Sequence, residues 1–160
     1  MKRYLSAKRK RSYRGKVKSI MSNSTTNNNH HHNNDQFEKL CDSIFALSPN
    51  IRFVGVIDRM GKLIAGGMRQ GLKSMENKQD SSKLYLEFAL RNEMRKEFDA
   101  EFGKTIYSFS EREKIKLASF PLNDHLLRVS IDKIELHHAE LIENILKLVI
   151  KNNNNKKEFG

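Results

Sequence analysis

Residues 51–68 read IRFVGVIDRMGKLIAGGM. Two apolar runs rich in Val, Ile and Phe flank a short polar turn, Asp58-Arg59-Met60-Gly61-Lys62. Such runs joined by a short glycine-bearing loop spell a β-hairpin. The flanking sequence reads as packing for a small sheet built on that hairpin. Nothing within it resembles a catalytic centre.

On the N-terminal side, Asp35-Gln-Phe-Glu38 has the spacing of a capping box and predicts a helix start. Phe37, Leu40, Cys41, Ile44 and Phe45 then fall on one helical face. Ser48-Pro49-Asn50 stops that helix. Cys41 lies on the stripe and reads as a small core residue, because no basic partner sits beside it in sequence.

On the C-terminal side, Gly66-Gly67 leads into a loop through Asp80 that matches neither a Walker loop nor a dinucleotide fingerprint. Residues 81–102 predict one long helix closed by Gly103. Leu84-Tyr85-Leu86-Glu87-Phe88-Ala89-Leu90 is apolar almost all round, and Met94, Phe98 and Phe102 continue an i, i+4 line. A helix apolar on two sides must be covered on two sides. Its own sheet is one cover, and a partner chain is the other.

Three strands follow. Residues 105–110 alternate, and residues 114–120 place Ile115 and Leu117 on one face and Lys114 and Lys116 on the other. Pro121 predicts the end of that strand. Asn123-Asp124 turns the chain, and residues 125–131 return with Leu127, Val129 and Ile131 opposite Arg128 and Ser130. Asp132-Lys-Ile-Glu135 repeats the capping-box spacing before a helix striped by Ile134, Leu141, Ile142, Ile145, Leu148 and Val149. His137, His138 and Glu140 form an HHxE string. Consecutive histidines point about 100° apart on a helix, so the string reads as a solvated helix start and not a metal site.

Charge is concentrated outside these elements. The chain carries 30 Lys/Arg, 19 Asp/Glu and a formal charge of +11. Lys2, Arg3, Lys8, Arg9, Lys10, Arg11, Arg14, Lys16 and Lys18 crowd residues 1–21, which hold no acid. From Phe37 onward basic and acidic side chains nearly balance, so the basicity belongs to a tail. Residues 1–34, including the Asn-rich run with His30, His31 and His32, read as a disordered tail. Residues 35–151 read as one α+β domain, and residues 152–160 as a polar C-terminal tail. The histidine run lacks the second, spaced ligand set of a zinc site. The single cysteine excludes an internal disulfide and fits a reducing, cytoplasmic setting. No apolar run reaches the roughly 20 residues of a spanning helix.

The predicted order is α-β-β-α-β-β-β-α, with a five-stranded antiparallel sheet. With the hairpin FVGVIDRMGKLIAG, the long helix and the meander TIYSFSEREKIKLASFPLNDHLLRVSI, the chain resembles the roadblock/dynein-light-chain family, related to longin and profilin domains. It is also similar to small archaeal proteins of this type and to sensor segments of some archaeal histidine kinases. The resemblance covers about residues 36–150. It implies a homodimer formed through the long helix and the strand after it, with Leu84, Phe88, Tyr107 and Phe109 near a partner. It further implies a non-enzymatic adaptor or regulator in signalling, acting on a small GTPase or another signalling protein.

Two other functions compete. The basic tail, interleaved with Tyr4 and Tyr13, could engage nucleic acid or another anionic surface. A PAS-like sensor would enclose a small ligand between sheet and helix. Enzyme chemistry ranks last: there is no GxSxG elbow and no spaced Cys/His set, so no catalytic, cofactor or metal residue is assigned.

Overall fold

The hairpin forms where the sequence places it, in a computed structural model that describes residues 25–155, with side chains from Asn34 to Asn154. Strands β1 (Ile51–Ile57) and β2 (Leu63–Met68) pair antiparallel. Asp58 builds the turn, its Oδ1 accepting from the N–H of Met60 at 2.8 Å and of Lys62 at 2.9 Å. Gly61 takes φ +75°, and a Cβ there would lie 2.5 Å from the backbone nitrogen of Leu86. Only glycine permits this approach of the turn to the long helix.

Around the hairpin stand α1 (Thr25–Phe45), α2 (Lys78–Arg95), a 3-10 turn (Lys96–Phe98), α3 (Asp99–Phe102), β3 (Ser108–Glu111), β4 (Ile115–Leu122), β5 (His125–Asp132) and α4 (His138–Asn155). The sheet order is β2-β1-β5-β4-β3, with every neighbouring pair antiparallel. This is the five-stranded α+β architecture that the sequence predicts.

One face of the sheet carries the main core. Val54, Val56, Leu127, Val129, Ile131, Ala118 and Phe120 meet Phe37, Cys41 and Ile44 of α1 and Leu141, Ile142, Ile145 and Val149 of α4. Burying side chains of this size contributes about 1.5–3 kcal/mol each before entropy is charged. Among the described residues, α2 covers the other face, through a small cluster of Ile57, Ala89 and Leu126 with Tyr85 and Phe88 against it.

Arg69, read as a loop residue, clamps the end of α1. It donates from Nε to the Ile51 carbonyl at 2.6 Å and from Nη2 to the carbonyls of Phe45 and Ser48 at 2.8 and 2.7 Å. A cation at a helix C-terminus satisfies carbonyls that lack intrahelical partners.

Several local expectations need correcting. Helix α1 begins at Thr25, so Asp35 is interior and the predicted capping box is absent. No proline or glycine interrupts residues 25–35, and a started helix propagates through polar sequence. Both oxygens of Glu38 instead accept from the Gly66 N–H at 3.1 Å. At the other end α4 continues to Asn155, with Asn152 buried, into the segment expected to be a tail. The predicted 81–102 helix starts earlier, behind an Asn77 cap, and passes through a 3-10 turn before Gly103. Strand β3 starts at Ser108 and not at Thr105.

Pro121 does not end β4. It pairs with Leu126, beyond the point where β3 starts opposite Ser119, so its missing N–H faces an open edge. The alternation of β4 is as expected, but both of its sides are covered, with Leu117 buried on one and Lys116 on the other. Lys116 is 3% exposed and donates from Nζ to the Glu135 carbonyl.

Asp132 and Glu135 form no capping box either, because Asp132 closes β5 and α4 begins only at His138. Ile134 therefore lies in the connecting turn, exposed and off the α4 stripe. The Glu135 carboxylate accepts from the Ser48 hydroxyl at 2.8 Å, the Asn50 amide at 3.0 Å and the His137 N–H at 3.0 Å.

These donors, the Ser48 hydroxyl foremost, hold the Glu135 carboxyl below its ordinary value of 4.5. A lowered folded value supplies stability that is complete above the ordinary value and lost as pH falls through the folded one. Urea denaturation should show wild-type stability declining below about pH 4.5. In Glu135→Gln the plateau should be lower and that part of the decline weaker; an unchanged acid limb would remove this role.

Candidate functional site

Leu84 and Phe88 project from α2 toward the sheet and are half-buried. Phe88 packs on the Ile57, Ala89 and Leu126 cluster. Tyr107, just before β3, is exposed and stacks on Phe120 at 6.0 Å. Phe109 packs against the main core and lies flat on His138 at 5.0 Å. Phe120 and that core belong to the face covered by α1 and α4. The structure thus brings Leu84 to Phe88 and Tyr107 to Phe109, but places the two pairs on opposite faces of the sheet.

The exposed apolar surface is a different set. Leu86, Leu90, Met94, Phe98 and Phe102 recur every fourth residue from α2 into α3 and point outward. Met94 is 64% exposed, Phe98 54% and Phe102 83%, and the last two rings stack at 6.2 Å. Ile106 is likewise exposed just before β3. Contiguous exposed apolar side chains mark interaction surfaces, whereas scattered ones need no explanation. The sequence shows the line itself, and the structure shows that it turns away from the sheet.

The adjoining edge of the sheet is open. Among the described residues, β3 has β4 on one side and no strand on the other. At the opposite edge, the Gly66 N–H of β2 is already taken by Glu38. An unpaired edge is a template for another strand.

Beneath α2, Arg128 is a feature that sequence reasoning missed. Its place in the alternation of β5 shows the face it points to. Its burial depends on α2 closing over that face with Tyr85 and Phe88.

Other candidates resolve simply. The basic residues Lys2 to Lys18 and the side chains of His30, His31 and His32 lie outside the described residues. His138 has Nδ1 3.2 Å from Lys116 Nζ, and its ring rests on Phe109, while His137 is exposed. Among the described residues, no group of three or more His, Cys, Asp or Glu could hold a metal ion. Among the same residues, no helix is long and apolar enough to cross a membrane.

Residues 30–156 match the model of a family of unknown function, DUF6659. Among solved structures, the chain is similar to a Roadblock/LC7 domain from Streptomyces avermitilis, with 14% identity and TM-score 0.54 over 71% of this chain and 92% of that one. It is similar to MglB of Myxococcus xanthus, with 17% identity and TM-score 0.54 over 72% and 93%. A third similar structure is an MglB in a tetrameric arrangement, with 14% identity and TM-score 0.51 over 74% and 91%. The chain has the roadblock fold. No curated protein matches it.

Cys41 is 1% exposed on α1, with Gly66 of β2 directly against it, where an added Cβ would come 2.8 Å from Sγ. Burial first, and then the nearby Glu38 and Asp42 carboxylates, push its thiol up to about 12. It should resist a thiolate-directed reagent such as DTNB at pH 8 in the native protein and react completely in denaturant. Rapid native labelling would contradict its place in the core.

Proposed function

The chain belongs to the DUF6659 family, and we propose that this member is a non-enzymatic, homodimeric adaptor or regulatory protein in signalling. The outward stripe from Leu86 to Phe102 is the observation that carries the reading. A second copy of the same stripe would bury those side chains isologously, and the free edge of β3 would let the sheet continue across the two-fold axis. Tyr107, exposed beside that edge, and Leu84, Phe88 and Phe109, packed behind it, would then support the interface from either side. The tetrameric arrangement of the similar MglB accords with self-association. The regulated partner, by the roadblock resemblance, is a small GTPase or another signalling protein.

Sedimentation of the full chain at tens of micromolar should give a dimer. The pair Met94→Glu and Phe98→Glu should weaken it by at least about 30-fold, the equivalent of about 2 kcal/mol for a central contact. Because both side chains are exposed, the monomer's far-UV spectrum should be unchanged. A wild-type monomer, or a dimer insensitive to both substitutions, would sink the reading.

A second function rests on the tail, whose nine cations and two tyrosines suit an anionic polymer. Binding to single-stranded nucleic acid should fall steeply between 50 and 200 mM salt. It should also vanish when residues 1–21 are deleted; binding that survives the deletion would assign it elsewhere.

A further inference from the structure

Arg128 rises from the central strand into a space that α2 covers only in part. It is 2% exposed, and its guanidinium carbon lies 4.9, 5.2 and 5.3 Å from the ring centres of Phe53, Tyr85 and Phe88. Those rings attract the cation but accept no in-plane hydrogen bond from its N–H groups. Glu76 holds Oε1 3.9 Å from Nη2, beyond hydrogen-bond reach. Nε and Nη1 are buried without a hydrogen-bond partner among the described residues. A buried cation normally finds a full set of acceptors, because desolvation otherwise opposes folding.

The same side chain lines an open groove of about 1160 Å³ between α2 and the β3–β4 hairpin. Leu84, Ile115 and Leu117 form apolar wall, and Arg91 and Arg112 add cations. The groove's acids are Glu76, Glu111 and Glu113, of which Glu111 is paired with Lys133. Its volume exceeds what a bare inorganic ion would fill, and its wall is partly apolar.

We propose that this groove binds a small organic oxyanion, whose carboxylate or phosphate meets Arg128 and whose apolar body lies along Leu84, Ile115 and Leu117. An oxyanion supplies the acceptors that the aromatic rings cannot, and arginine is the side chain best shaped to receive it. The inference does not rest on dimerisation, since Arg128 and these wall residues lie on the side of α2 away from the exposed stripe.

The test titrates the full chain with hexanoate and with hexyl phosphate, against hexanol as the neutral control. Calorimetry and the Arg128 Nε–H resonance follow binding. At least one oxyanion should bind saturably and about tenfold or more tighter than hexanol, with the Arg128 signal shifting; the tighter of the two identifies the head group. Arg128→Met should lose that preference while its Tm stays equal to or above wild type, because it removes a buried cation whose Nε and Nη1 lack acceptors and keeps the volume. A clear fall in Tm would make Arg128 a structural residue and overturn the proposal. So would equal affinity for hexanol, undiminished oxyanion binding by the variant, or no saturable oxyanion binding at all, which would leave water as the occupant.

Discussion

The apolar layer between the sheet and the α1/α4 pair is the contact on which everything else depends. Strands β1 and β5 are central, and their inward side chains Val54, Val56, Leu127, Val129 and Ile131 are all fully buried. That layer sets the register of the sheet, since a slip of one residue would turn those side chains onto the opposite face. Its boundary is held by polar contacts that tie distant segments together. Arg69 fastens the end of α1 to β1, and Glu135 joins the chain before β1 to the chain after β5. These contacts order the loops around a core already specified by burial.

The second face of the sheet follows a different logic. Helix α2 buries only Ala89 completely, while its outward side carries the exposed stripe. The hairpin turn props one part of it, where Gly61 meets the backbone of Leu86. Between α2 and the β3–β4 hairpin the cover is incomplete, and the nearly buried Arg128 lines the groove left there. One face of the sheet is thus a settled core, and the other carries the exposed stripe and the groove beside Arg128.

Individual residues show how far the sequence could be read. The apolar run FVGVI and the alternation in LLRVSI identified strands, and the stripes of α1 and α4 identified the buried sides of those helices. Capping boxes failed at Asp35 and Asp132 because spacing alone cannot tell a helix start from a helix interior or a strand end. Lys116 defeated the usual rule that lysine faces water, since its core-side position became tenable only when the Glu135 carbonyl came within reach of Nζ. Likewise the line from Met94 to Phe102 was visible as a line, but not whether it faced the sheet or the solvent.

The amino-acid sequence by itself determined the fold class, the order of elements and the segregation of charge into the first 21 residues. These depend on local periodicity and composition, which are properties of consecutive residues. Only the tertiary structure decided that the two pairs Leu84–Phe88 and Tyr107–Phe109 sit on opposite faces, that β3 is an edge strand among the described residues, and that Arg128 is buried among three rings. Those facts arise from segments far apart in the chain meeting across the sheet. The hydrophobic effect that drives such meetings is non-directional, so the pattern of apolar residues constrains which faces are buried without naming their neighbours.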